Sequence, residues 1–207
     1  WDGDANPILI NDPRFSPAGV LAPKSKADLA FTMHMLSWLS AQGTAAIVEF
    51  PGVMYRGGAE AKIRKYLVDN NFVDAVIQLP PDLFFGTSIS TCILVLKKNK
   101  KDTNVTFIDA SAEFVRSGNK NKLSSTNRKK ILESFTNREN IDHFAHLASY
   151  DDIVENDYNL SVSSYVQAED TTEAIDITEL NADIKQIVER QAELRTAIDA
   201  IVKDIEG

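Results

Sequence analysis

The sequence predicts an α/β fold in which a mostly parallel sheet ends in an antiparallel pair of strands and is followed by a helical C-terminal extension. Four apolar runs of strand length carry the sheet: residues 45–50, 73–79, 90–97 and 105–109. A helical pattern separates the first two runs, but only a tight turn separates 73–79 from 90–97, and so short a link joins strands that run in opposite directions. A sustained three-four spacing of apolar residues after residue 176 carries the helical extension.

Residues 1–24 contain Pro7, Pro13, Pro17 and Pro23 and read as irregular. Ser25 with Asp28 three residues on forms a capping-box pattern that opens a helix to about Ser40. Its rows Leu29, Met33, Leu36 and Phe31, Met35, Trp38 are both apolar, which predicts a helix buried on much of its circumference. Gln42-Gly43 stops it, and Ala45 to Phe50 reads as a buried strand ending at Pro51-Gly52. Gly57-Gly58 precedes a helix from about Ala59 to Asn70 with Ile63, Tyr66 and Leu67 inward. Between the next two strands lies Asp82-Leu83-Phe84-Phe85-Gly86, a charged and aromatic turn of the kind at which α/β enzymes place their chemistry. For Phe85 the favoured expectation is an apolar lid on the sheet's end. The boundaries expected are a sheet domain at 1–112, a mostly helical extension at 113–168, and a linker with a heptad-patterned helix at 169–207, the run Glu169 to Glu173 being the linker.

With 207 residues and 43% apolar content the chain can bury a full core. No apolar run is long enough to cross a membrane, and a cytoplasmic protein is expected. The chain opens on Trp1-Asp2-Gly3, so the lack of a targeting segment carries little weight. One cysteine, Cys92, excludes an internal disulfide, and its apolar neighbours predict a buried, unreactive thiol. His34 falls within the first helix, while His143 and His146 stand alone in an acidic region, so no metal site is expected. The net charge of -8 hides an asymmetry: residues 97–130 hold ten basic side chains against three acidic ones, and residues 131–207 hold five against eighteen. The first stretch would suit a phosphate backbone.

A strand order that ends in an antiparallel pair is a hallmark of the methyltransferase variant of the doubly wound fold, and the residues carry the resemblance further. In Asp12-Pro13-Arg14-Phe15, Lys26-Ala27-Asp28-Leu29-Ala30-Phe31, Gly43 to Pro51, Gly57-Gly58 with Ile63-Arg64, and Leu79 to Leu96, the chain resembles the modification subunits of type I restriction-modification systems. Phe107-Ile108-Asp109-Ala110-Ser111, Asn121-Lys122-Leu123 and Asn156-Asp157-Tyr158-Asn159-Leu160 continue the match in register. The resemblance implies the C-terminal half of a Rossmann-like, S-adenosylmethionine-dependent methyltransferase sheet. The implied activity is methyl transfer to the N6 amine of an adenine flipped out of DNA. The implied partners are DNA, a specificity subunit and, in the full complex, a restriction subunit.

In that family an Asn-Pro-Pro-aromatic loop holds the adenine amine, and a glycine-rich loop holds the cofactor. Neither motif occurs in these 207 residues, so no catalytic residue is assigned, S-adenosylmethionine is expected only for an intact subunit, and the chain alone is expected to be inactive. The carry-over is therefore narrow. Phe84 falls where a second aromatic ring stacks on the target base, and Asp28 and Phe31 fall beside the cofactor. Arg56, Arg64, Lys97, Lys98, Lys120 and Lys122 are candidates for the DNA backbone. Leu180, Ile184, Ile187, Gln191, Leu194, Ile198 and Ile201 form a heptad seam, for which the resemblance implies docking to the specificity subunit, packing onto the chain's own core being the alternative. A non-catalytic assembly and DNA-positioning module on the same scaffold is the alternative reading.

Overall fold

The computed structural model describes residues 1, 3, 6–169 and 177–206; the expected linker at 169–173 lies almost wholly outside them. Two compact units result, Trp1–Glu169 and Asp170–Gly207.

Among the described residues, the first unit is built on a five-stranded sheet formed by β1 (Thr44–Glu49), β2 (Val73–Gln78), β3 (Cys92–Lys97), β4 (Val105–Asp109) and β7 (Ala145–Ala148). The spatial order is β1-β3-β2-β4-β7. Strand β3 is antiparallel to both β1 and β2, and β2 is parallel to β4. The antiparallel link between the second and third strands is as the short turn predicts, but β3 sits inside the sheet, between β1 and β2. Strands β1, β2 and β4 therefore run the same way, and their carboxyl ends lie level, since Glu49 and Gln78 both pair with Cys92 and Gln78 also pairs with Asp109.

Helices α1 (Asp28–Trp38) and α2 (Ala59–Asp69) belong to the main core, where Leu29, Met33, Leu36, Ile63 and Leu67 meet Val76, Leu94, Leu96 and Phe107. The second face is smaller: Ala75, Ile77, Val95 and Ile108 pack with Ile131 of α3 (Ser125–Asn137). Both faces of β2 and β4 are covered, so these strands are almost wholly buried, and the polar Asp74 and Thr106 are buried with them. Strand β1 is an edge strand with alternating exposure, not the buried strand its composition suggests: Ala45 and Ile47 turn to the core while Ala46 and Val48 face solvent.

Two expectations for α1 fail. Only the Leu29, Met33, Leu36 row is buried, leaving Phe31 at 65% and Trp38 at 79% exposure. The helix starts at Asp28 with Ala27 as its cap and no side-chain bond, because a turn closed by Lys26 N–H to the Pro23 carbonyl keeps Ser25 away from the first helical turn. Working capping boxes stand instead at Ser124 with Asn127, before α3, and at Ser149 with Asp152, before α4 (Tyr150–Glu155).

The expected boundary near residue 112 is not a break. Residues 113–169 belong to the first unit, and they are not mostly helical: they add the edge strand β7 and the hairpin of β5 (Val115–Ser117) and β6 (Lys120–Lys122). These strands have three or four residues, too few for a period of two to be read. In the second unit, α5 (Ile177–Glu206) is one helix of 30 residues, about 45 Å long at 1.5 Å per residue.

Candidate functional site

The loop between β2 and β3 rises from the carboxyl ends of the parallel strands, where open α/β sheets bind their ligands. Its neck is closed by the Leu79 N–H donating to the Thr91 carbonyl at 2.8 Å and by the Gln78 amide donating to the same oxygen at 3.2 Å. Above the neck, Asp82 and Gly86 take left-handed φ values of 57° and 80°, which asparagine-like residues and glycine tolerate. Leu83 packs on the smaller core and supplies the apolar lid. Phe85, expected as that lid, is 94% exposed, and Phe84 is 42% exposed, with Ile89 also open to solvent. Nothing in the packing of the sheet requires two rings there. Flat apolar surface held out of the core by a loop with a closed neck can stack on an unpaired base.

The hairpin β5–β6 grips this loop. Asn121, almost fully buried, donates its side-chain amide to the Pro81 carbonyl at 2.8 Å and its N–H to the Asp82 carbonyl at 3.0 Å. The Lys120 ammonium donates to the Thr87 carbonyl at 2.9 Å and lies 3.7 Å from the Asp82 carboxylate. Arg116 reaches Asp82 at 3.5 Å and donates to Oδ1 of Asn121 at 3.0 Å. The contacts from hairpin to loop join residues more than 30 positions apart, so periodicity could not reveal them; the Asn121-Lys122-Leu123 match was the one sequence signal.

The basic candidates divide between the two ends of the sheet. Lys120 and the exposed Lys122 are on the hairpin beside the loop, and Arg56 follows β1 at the same carboxyl end, its guanidinium 4.8 Å from the Phe50 ring and 3.6 Å from buried Glu60. Lys97 pairs with Thr44, at the opposite end of β3 from the loop, and the Lys98 ammonium donates to the Leu39 carbonyl at 2.6 Å. Lys97 and Lys98 therefore do not join the surface around Phe84.

Arg64 is a correction. It is buried, and its guanidinium donates to the carbonyls of Val53 at 2.9 Å, Arg56 at 2.7 Å and Tyr158 at 3.1 Å. Burial lowers its pKa while Glu60 opposes that shift. Its role is to tie α2 to the turn at Pro51–Met54 and to the Asn156-to-Leu160 segment, whose Leu160 N–H donates to the Met54 carbonyl. No phosphate can reach it.

At the carboxyl end of β1, Thr32 donates to the Glu49 carboxylate at 2.5 Å. Burial pushes the Glu49 carboxyl up to about 7 against the lowering effect of that bond, and the nearby charge of Asp28 adds to the rise. Cys92 adjoins it, donating to the Glu49 carbonyl at 3.5 Å, and burial with the Glu49 charge raises the thiol to about 12, as an unreactive cysteine requires. Phe31 and Arg14 line a cleft with Trp1, Leu9, Phe15, Ala30 and His34; Asp28 is not among its walls. Among the described residues no cluster of three or more histidine, cysteine or carboxylate side chains could hold a metal.

An antiparallel strand inserted between two parallel ones, with a loop of exposed aromatics at the carboxyl end, defines the class as a methyltransferase-type α/β sheet. The chain belongs to the N-6 DNA methylase family, whose model matches residues 1–174. It is 52% identical to the methylase subunit of the type I restriction enzyme MpnII of Mycoplasma pneumoniae over 99% of this chain and 38% of that protein. It is 33% identical to the MjaVII methylase subunit of Methanocaldococcus jannaschii over 91% of this chain and 33% of the relative. The crystal structure of a type I methyltransferase subunit from Streptococcus thermophilus superimposes with a TM-score of 0.77 at 50% identity, covering 79% of this chain and 35% of that one. The chain thus spans about a third of the length of these relatives.

Proposed function

We propose that the chain forms part of an adenine-N6 DNA methyltransferase subunit of a type I restriction-modification system, and that the loop between β2 and β3 stacks Phe84 on the flipped adenine. The exposed aromatic tip, in a chain of this family, is the observation that carries the reading. Stacking a base on an aromatic ring is worth about 1 to 3 kcal/mol, enough to hold an extruded base that has lost its neighbours. The reaction is a direct attack of the amine on the methyl group and needs no protein nucleophile, which agrees with the buried, high-pKa Cys92. DNA and a specificity subunit are the partners in this reading, with α5 the docking element and a restriction subunit joining in the full complex.

S-adenosylmethionine would supply the sulfonium methyl. The cleft lined by Phe31 holds about 240 Å3, below the roughly 300 Å3 from which small-molecule sites begin. Phe31 would therefore supply one margin of the cofactor's site and not the site itself, and the glycine-rich and Asn-Pro-Pro-aromatic motifs are not among these residues.

The test is Phe84→Ala in the assembled methyltransferase. Binding of DNA with an extruded target adenine should weaken about tenfold to a hundredfold, the range that stacking energy sets, with the thermal midpoint unchanged. Methylation at the parent rate would defeat the assignment.

A further inference from the structure

We propose that the β5–β6 hairpin is the positioning device of the aromatic loop, with Asn121 as its positioning residue. This rests on the reading of Phe84 as the base-stacking ring. The hairpin forms a two-stranded sheet of its own, and all three residues of β5 are exposed. Its polar side chains converge on the loop instead. Asn121 fixes the rising limb through the Pro81 and Asp82 carbonyls, and Lys120 fixes the descending limb through the Thr87 carbonyl. Phe84 and Phe85 stand between these anchor points with no core contact of comparable strength to hold them. A loop tied on both limbs and free at its tip presents its rings in one place, and a base clamp needs that, because displacement by about 1 Å can cost on the order of a hundredfold in rate.

Asparagine is the residue type the junction requires. Its amide donates to the Pro81 carbonyl while its oxygen accepts from Arg116 at 3.0 Å, so one short side chain links the loop to the hairpin's own arginine. Aspartate has the same shape and still accepts from Arg116, but it sets a carboxylate oxygen against the Pro81 carbonyl. Asn121→Asp therefore breaks the side-chain bond to Pro81 without opening a cavity and leaves only the backbone N–H bond to Asp82 on that limb. Lys120→Met removes the other anchor and serves as a second variant.

The experiment measures hydrogen exchange at residues 81–89, methylation rate and DNA affinity in the assembled methyltransferase, for both variants with and without Phe84→Ala. Exchange should rise at least tenfold over 81–89 and stay unchanged in β2 and β3. Methylation should fall about tenfold or more, with affinity for intact duplex DNA within twofold for Asn121→Asp, and neither variant should add to the methylation loss once Phe84 is gone. Unchanged exchange would overturn the proposal, as would a methylation loss of full size in the Phe84→Ala background. Faster exchange with intact methylation in Phe84→Ala itself would retain the brace and remove the base-stacking reading, so the two failures are separable.

Discussion

Glu49 ends an edge strand, yet its carboxyl is buried beside Thr32 and Cys92, and its proton decides how the carboxyl end of β1 is held. A hydroxyl has one proton, so Thr32 serves either the Glu49 carboxylate at 2.5 Å or the Asp28 carbonyl at 3.4 Å. A protonated Glu49 ends the competition by donating to Thr32. With a pKa raised from 4.5 to about 7, the folded state holds a proton that the unfolded chain releases. The contribution of this carboxyl to stability is therefore complete below pH 4.5, declines as pH rises through 7, and is constant above that. Glu49→Gln should remove this slope and leave the variant more stable than the parent at pH 8 by on the order of 2 kcal/mol. Urea unfolding at pH 5 and pH 8 measures the difference; an equal gap at both would show that Glu49 titrates normally. Arg64 makes the complementary point about the sequence. Beside Arg56 it has the same chemistry and reads equally well as a phosphate ligand, and only the three carbonyls converging on it, one of them 94 residues away, turn it into a structural tie.

At the scale of elements, α5 presents a stripe with no cover within its own unit: Ile184, Ile187, Leu194, Ile198 and Ile201 are all exposed. In the proposed docking this stripe, on a helix of about 45 Å, meets a partner helix, and Gln191 within it would fix the register of the pair at some loss of stability. Deleting residues 170–207 should abolish association with the specificity subunit in a pull-down, while the Trp1–Glu169 unit, which has its own core, should still unfold in one cooperative transition. Retained assembly would mean that another surface docks. The heptad was legible because a spacing of 3, 4, 3, 4 is a purely local signal, and the strands were legible for the same reason. The signals that misled were local ones whose outcome depends on distant chain. The pattern Ser-x-x-Asp caps α4 at Ser149 but fails at Ser25, where a preceding turn holds the serine off the helix. The second apolar row of α1 and the open face of β1 read as buried, because hydropathy records what a residue would gain by burial and not which neighbour is present to bury it. The insertion of β3 between β1 and β2 is a pairing choice between strands, which no periodicity encodes.

The molecule as a whole separates its charges as well as its elements, and the fold splits what the sequence shows as one basic run. Residues 97–130 are continuous in the chain, yet β3 carries Lys97 to the amino ends of the parallel strands while the β5–β6 hairpin holds Lys122 beside the aromatic loop at their carboxyl ends. A duplex that offers an adenine to Phe84 must lie across the carboxyl end, where Arg56 and Lys122 are, and its phosphates cannot at the same time meet Lys97. Each phosphate neutralised by a lysine releases about 0.9 of a counterion, so the dependence of log affinity on log salt counts the contacts. Lys122→Gln in the assembled methyltransferase should lower that slope by about one and weaken binding equally across DNA sequences. Lys97→Gln should leave the slope unchanged. Fluorescence anisotropy titrations between about 50 and 200 mM salt cover the range in which such contacts are read. A loss of slope from Lys97→Gln and none from Lys122→Gln would place the duplex at the other end of the sheet, and with it would remove Phe84 from the reacting base.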